Sequence, residues 1–423
     1  MGRGVIGAIW NKRWQIGLAI ALLAGIIFRL AYLQDIEYKS DESWTFANTE
    51  AFWQTHQLPM VGSASSQGLP NAGLSLWLFI ALEAFVPADP LAVTRAVEVV
   101  NVAALLMLVL FVARCVDARE REPWAWSLAL VAVNPLWVLF SRKIWEQDLL
   151  PPFSVGFLWG WWYRARNWGA FLWGLIGALI GQIHLGGFFY GAAFFLVTMI
   201  YDRRGVKWLP WLCGSVLGAL PMLPWIYAIL TTPSPVSTTD WTHLNPVYWL
   251  HWLGFASALN LFYSLGRDTF SFLATPIVGG VPTYLAAALH VALLAIVGII
   301  FTRLYRHWRL EPAQTKALLF SPRSQTALAL AALLLQGLLF LPTLRPVYLH
   351  YLIIGFPLPA LSLVWLDRAG VSSAGSVANS RALLTWLVIL QAALTVLFQL
   401  YVHQAAHIAG DYGTPYRMQV PAP

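Results

Sequence analysis

The chain has 423 residues, of which 59% are hydrophobic and 11% charged, with a mean hydropathy of +0.64 and a formal net charge of +7. That apolar excess excludes an ordinary soluble domain and a disordered chain. The basic residues are scattered in short segments between apolar runs rather than gathered in a patch, which speaks against a nucleic-acid partner and for membrane insertion.

The apolar runs are continuous rather than alternating, so the expected class is all-α: a polytopic integral membrane bundle, read as one transmembrane domain over 1–423. Lipid offers no partner to backbone polar groups, and a span needs roughly 20 helical residues. In chain order about eleven spans are expected, at 16–33, 92–113, 124–140, 149–163, 168–183, 185–200, 208–230, 283–302, 326–342, 348–366 and 382–402. The first follows Arg3, Lys12 and Arg13, ends at Arg29 and carries no small-residue cleavage site, so it reads as an uncleaved span.

With the N-terminus inside, the outside basic residues are only Lys39, Arg95, Arg142, Lys143, Arg267, Arg345 and Arg417, and most of the others fall inside, which fits the orientation rule. The same rule makes 72–86 an interfacial helix and 247–265 interfacial or re-entrant. It also makes 168–200 a hairpin turning at Gln182-Ile183-His184-Leu185-Gly186-Gly187. The outside face then carries a first loop at 34–91 and a long loop at 231–282. Cys115 and Cys213 both fall near inside ends, so no disulfide is expected. The predicted localisation is the cell's inner (plasma) membrane, multi-pass, with the active site on the extracytoplasmic face.

Asp41-Glu42 opens a polar segment, Ser40-Asp41-Glu42-Ser43-Trp44, just beyond the first span. Acids at a membrane edge are costly and commonly serve a site. Asp41 or Ser40 could cap an interfacial helix whose apolar face holds Trp44, Ala47, Ala51 and Phe52; alternatively the pair is a general base or a metal ligand. Asp35 and Glu37 read as loop charges. The turn Ser141-Arg142-Lys143-Ile144-Trp145-Glu146-Gln147-Asp148 puts two cations and two acids outside. They could anchor a phosphate, or Arg142 and Lys143 could pair with Glu146 and Asp148.

Arg345, Tyr348, His350 and Tyr351 open a late span, with Arg345 suited to a lipid phosphate and the tyrosines also suited to an aromatic belt. His184 is a structural residue or an acid, base or ligand. Trp241, His243, Trp249, His251, Trp252, Tyr263 and Arg267 lie in the long loop as a lipid-facing or sugar-stacking surface. No phosphate-binding Gly-rich loop, zinc pattern or nucleophile elbow is present.

Taken together, the acid pair Asp41-Glu42, the outside turn with Arg142 and the segment Arg345–Tyr348 resemble the C-type glycosyltransferase superfamily. The likeness is to its bacterial branch of protein O-mannosyltransferases and lipid A aminoarabinose transferases, over about 16–366. The resemblance implies a glycosyltransferase that uses a polyprenyl-phosphate sugar and acts on a lipid, glycan or protein hydroxyl at the outer face, with inversion. It implies Asp41 as the catalytic carboxylate with Glu42 beside it, and Arg142, Lys143, Glu146, Asp148, His184, Arg345, Tyr348 and His350 as substrate-binding residues. A divalent metal at Asp41, Glu42 or Asp148 is permitted but not required. Leu69-Pro70-Asn71 stands where many members have Pro-Pro, and His184 where relatives have Lys followed by Gly. The competing classes are a transporter or lipid flippase and a surface-polysaccharide polymerase or ligase. Spans nearly free of central charge, with polar groups gathered on one face, favour an enzyme over a transporter.

Overall fold

The computed structural model describes residues 12–65, 69–231, 247–322, 324–343, 347–371 and 374–419. Helix α1 (Lys12–Leu30) leads to α2 (Ser40–Thr55), a small antiparallel pair β1 (Val61–Ala64) and β2 (Pro70–Ala72), and α3 (Leu74–Glu83). Then follow α4 (Pro90–Cys115), α5 (Arg121–Val133), α6 (Pro135–Leu139), α7 (Leu150–Trp162), α8 (Asn167–Ile183) and α9 (Gly186–Tyr201). The second half holds α10 (Trp208–Ala219), α11 (Leu223–Thr231), α12 (Val247–Ser257), α13 (Phe262–Leu265), α14 (Thr269–Leu273) and a two-residue ribbon β3 (Ile277–Val278) with β4 (Val281–Pro282). It closes with α15 (Leu285–Leu310), α16 (Pro312–Leu319), α17 (Gln325–Phe340), α18 (Leu358–Ala369) and α19 (Ala374–Gln404).

Among the described residues, Pro90–Cys115, Trp208–Thr231, Leu285–Leu310 and Val377–Gln404 are long and apolar enough to cross a membrane. A fifth candidate is Leu349–Gly355 with Leu358–Ala369, bent by 80°. Each of the eleven expected segments falls on helical backbone, but length alone does not make eleven spans. Asn167–Ile183, Gly186–Tyr201 and Gln325–Phe340 are apolar yet short. At 1.5 Å per residue, such helices reach about 25 Å, less than the roughly 30 Å hydrocarbon core. The turn between α8 and α9 lies at His184-Leu185, where the sequence pattern puts it. The segment 72–86 becomes α3, and 247–265 becomes α12 and α13, with Tyr248, Trp252 and Phe255 buried.

Residues 123–151 are buried without exception. A helix apolar on every side belongs inside a bundle, and α5 is one. The expected single helix over 124–140 is instead broken at Asn134-Pro135, because proline cannot donate and forces the preceding residue into extended backbone. Asn134 caps the new start: its Oδ1 accepts from the N–H groups of Leu136 and Trp137 at 2.9 and 3.3 Å. The carbonyls orphaned by the break are met from α1. Arg29 donates to the carbonyls of Ala132 at 2.7 Å and Val131 at 3.0 Å. That reach depends on Gly25, where a Cβ would stand 2.4 Å from the Ala132 oxygen. The break turns the chain out of α6 and into the segment 141–148, held in the middle of the bundle's end.

Candidate active site

Three stretches singled out in the sequence meet at this end, joined by Tyr263 and by Asp411. The first runs from Ile36 into α2. Lys39, rather than Ser40 or Asp41, is the N-cap, so the expected cap is displaced by one or two residues. The reason is Glu42, whose Oε2 accepts the Lys39 backbone N–H at 3.1 Å. One face of α2 buries Glu42, Thr45, Phe46 and Thr49, and Trp44 on another face is exposed. Asp41 is exposed and turned to a cavity of about 250 Å³. No hydrogen bond or ion pair from another described residue occupies its carboxylate.

The second stretch, 141–148, does not form the internal side-chain ion pairs that the sequence allows. Its cations reach elsewhere. The Arg142 Nε donates to Glu98 on α4 at 3.1 Å, and its guanidinium also donates to the carbonyls of Ala31 and Tyr32 past the end of α1. Arg142 thus braces α1 against α4 and is not among the residues lining the cavity. Lys143 is almost wholly buried, with Nζ 2.5 Å from Glu37 and near 5 Å from the ring centres of Phe140 and Trp145. Glu37, read from the sequence as a loop charge, is itself 1% exposed and also binds Lys39 at 2.7 Å. Asp35 is likewise buried, held by Arg417 and His403, each at 2.7 Å.

Glu146 is buried, with Oε1 accepting from Ser63 Oγ at 2.6 Å and Asn71 Nδ2 at 2.8 Å. Asn71 also accepts from the Leu185 N–H at 3.2 Å, which ties β2 to the α8–α9 turn. Asp148 accepts the Lys143 backbone N–H at 3.1 Å. Neither Glu146 nor Asp148 lines the cavity; both support its walls.

The third stretch opens the late bent segment. Tyr348 is exposed, and its ring stacks on His350, with centroids 5.7 Å apart and planes 13° apart. Trp145 meets His350 edge-on at 4.5 Å, and both tyrosine and histidine line the cavity. His184 stands behind His350 at 5.8 Å and accepts the Gly186 N–H on Nδ1 at 3.2 Å, a turn-capping role. Arg345, Trp241 and His243 lie outside the described residues. Of the long-loop aromatics, Tyr263 lines the cavity.

Sequence reasoning missed Glu37, Lys39, Trp145 and Asp411 as lining residues, whereas Tyr263 belongs to the long-loop aromatics it had named as a possible sugar-stacking surface. Glu37 and Lys39 flank the acid pair closely enough to have been grouped with it. Asp411 carried no signal. It arrives on the segment after α19, which returns to the first loop: Pro415 bridges to Glu37, and the Tyr416 N–H donates to the Ile36 carbonyl at 3.0 Å.

The electrostatics follow from burial. Burial pushes the Glu42 carboxyl up to about 7, with Glu37 adding to the rise and Lys143 opposing it. Burial likewise raises Glu146 to about 7 against its hydrogen bond from Ser63. For Lys143, burial would lower the ammonium pKa, but Glu37, Glu42, Asp411 and Asp148 outweigh it, so the pKa is raised and the charge persists. Burial lowers His184 to about 3, so the ring stays neutral. The linkage has a definite sign. Glu42 and Glu146 keep a proton in the folded protein between pH 4.5, their ordinary value, and about 7, where the unfolded chain has lost it. Their contribution to stability is therefore present at the acid end and is lost as pH rises through that window. Glu42→Gln and Glu146→Gln should each flatten the fall in thermal stability between pH 5 and 8. Together they should remove on the order of half its slope, and an unchanged slope would show that the two carboxyls ionise normally.

Among the described residues, no three His, Cys, Asp or Glu side chains converge to hold a metal ion. Of the three acids named as possible ligands, Asp41 faces the cavity, and Glu42 and Asp148 each accept a backbone N–H beside the Lys143 ammonium.

No family model matches this sequence, and the comparison with curated proteins finds no match. A solved structure with some likeness is the crystal structure of the Archaeoglobus fulgidus oligosaccharyltransferase in the apo form, at 14% sequence identity and a TM-score of 0.49. The alignment covers 92% of this chain and 56% of that one, so this chain spans little more than half the neighbour's length.

Proposed function

We propose that the protein is a multi-pass membrane glycosyltransferase. It moves one sugar from a polyprenyl phosphate to a hydroxyl of a lipid, glycan or protein acceptor, with inversion, at the extracytoplasmic face of the inner membrane. One observation carries this reading: an uncommitted carboxylate, Asp41, shares a small cavity with the ammonium groups of Lys39 and Lys143 and the rings of Trp145, Tyr263, Tyr348 and His350.

In the proposed reaction Asp41 takes the proton of the acceptor hydroxyl as its oxygen attacks the anomeric carbon. The bond from that carbon to the phosphate oxygen breaks from the opposite side. The phosphate leaves with the bonding pair, and its growing charge is balanced by Lys39 and Lys143. A base must be free to accept a proton, and Asp41 is the acid of this cluster not already spent on a neighbour. Glu37 pairs with the buried Lys143 ammonium, and Glu42 accepts the Lys39 backbone N–H. The rings offer faces against which a sugar can stack. Ligand pockets commonly run from about 300 to 1,000 Å³, so a cavity near 250 Å³ suits a single sugar unit rather than a whole glycan.

The test is lipid extraction from cells with and without the gene. Loss of the protein should cause a polyprenyl-phosphate sugar to accumulate, and restoring the wild-type gene, but not one carrying Asp41→Asn, should clear it. An unchanged lipid profile, together with no transfer from such a donor by the purified protein, would remove the reading.

A further inference from the structure

The cavity is short of positive charge. Four acids line it, Glu37, Asp41, Glu42 and Asp411, against two ammonium groups, Lys39 and Lys143, so even with Glu42 protonated the acids outnumber the cations. The arginine expected to add charge, Arg142, is spent on Glu98. A phosphate entering this space must therefore take its cations from acids that already hold them. Those acids are not equivalent. Glu37 is 1% exposed and lies between both lysines, so it cannot leave without stranding a buried ammonium. Asp411 is one-third exposed, lies 2.9 Å from Lys39 and 4.0 Å from Lys143, and rides on a segment from outside the helical bundle.

That segment does not depend on the Asp411 side chain for its position. The Asp411 N–H donates to the Tyr263 carbonyl at 3.3 Å, and the Tyr412 N–H to the Ser264 carbonyl at 3.0 Å. Arg417 donates to Asp35 at 2.7 Å and to the carbonyls of His403 and Ala405 at the end of α19. Gly410 packs against the turn at Gly266 so closely that a Cβ there would stand 2.3 Å from the Gly266 nitrogen. Every one of these bonds survives a rotation of the Asp411 carboxylate.

Resting on the glycosyltransferase reading, we propose that Asp411 is a resident anion of this site, one that the C-terminal segment lends to Lys39 and Lys143 and that the incoming phosphate displaces. A partly exposed carboxylate–ammonium contact is weak, typically about 0–1 kcal/mol, whereas a phosphate offers several charged oxygens to the same two ammonium groups. The exchange then favours the phosphate. Without it, Asp411 keeps the lysines ordered and partly neutralised. After transfer, it competes with the phosphate product and aids its release.

The experiment measures binding of a polyprenyl phosphate and, separately, of inorganic phosphate to the purified full-length protein in detergent at fixed ionic strength. Asp411→Asn should tighten binding about two- to fivefold, because it removes the competing charge but keeps the size of the side chain. Asp411→Glu, which keeps the charge, should bind like wild type. In a Lys39→Gln background the gain from Asp411→Asn should shrink, the sign of coupling between the two residues. A gain in the lipid arm alone means that the tail is needed to seat the phosphate; a gain in both arms means that the head suffices. A purely structural Asp411 predicts the opposite, weaker binding in Asp411→Asn. If wild type binds and Asp411→Asn binds no better in either arm, the exchange is wrong and the glycosyltransferase reading stands. If no variant binds either probe, that reading fails and takes this one with it.

Discussion

Asp41→Asn is expected to lower sugar transfer by about a hundredfold or more while leaving the protein folded, since lost acid–base catalysis costs roughly 10²–10⁴ in rate. The geometry separates the two roles that an acid at a helix start could play. Lys39 holds the cap position and Glu42 accepts its N–H, so Asp41 is not needed to begin α2. What Asp41 gives the helix is charge near its N-terminus, worth about 0.3–1 kcal/mol at an exposed site. Asparagine should therefore cost little stability. It removes the one carboxylate on the cavity that no described neighbour engages. Glu42→Gln should reduce turnover less, because Glu42 acts on the cavity through Lys39 and the start of α2. The measurement is turnover of a polyprenyl-phosphate sugar by purified variants of matched thermal stability. A folded Asp41→Asn protein that transfers sugar at the wild-type rate would dismiss Asp41 as the base.

Much of the helical layout was legible because it rests on local pattern. Apolar run length placed the eleven expected segments on helical backbone, though not α14 or α16, and the histidine–glycine turn at 184–187 announced the α8–α9 hairpin. The break at Asn134-Pro135 was equally visible as an Asn-Pro step, yet a run of apolar residues on both sides outweighed it. The acid pair was legible for the same local reason: two carboxylates stood in a chain with few charges. Partners were not legible. Arg142 sits four and six residues from Glu146 and Asp148, and local spacing suggests pairing there. The fold instead sends it to Glu98 on α4 and sends Lys143 to Glu37, in the chain after α1, because both acids are buried against the segment. Asp411 was beyond reach for a stronger reason. It lies more than 370 residues from Lys39, and the contact exists only because α19 delivers the chain back to the first loop.

Lys143→Met is the substitution expected to damage the fold most. The ammonium lies 2.5 Å from Glu37, and both side chains are at most 2% exposed. Deleting one member of a buried pair leaves the other charged and unpaired, at a cost of roughly 3–5 kcal/mol. Glu37 keeps Lys39 at 2.7 Å, so the lower end of that range, about 3 kcal/mol, is expected. Glu37→Gln in the Lys143→Met background removes the stranded carboxylate and should recover much of the loss, since replacing both members of a buried pair is often close to neutral. Thermal inactivation in detergent, compared across the two single variants and the double, measures the coupling directly. Wild-type stability in Lys143→Met would mean that the Glu37 network does not hold the first loop to 141–148. Turnover should behave differently from stability. If the Lys143 ammonium balances the leaving phosphate, the double variant regains its fold but not its activity, because no cation has returned to the cavity. Recovery of both together would make Lys143 a brace alone and leave Lys39 as the charge that the phosphate meets.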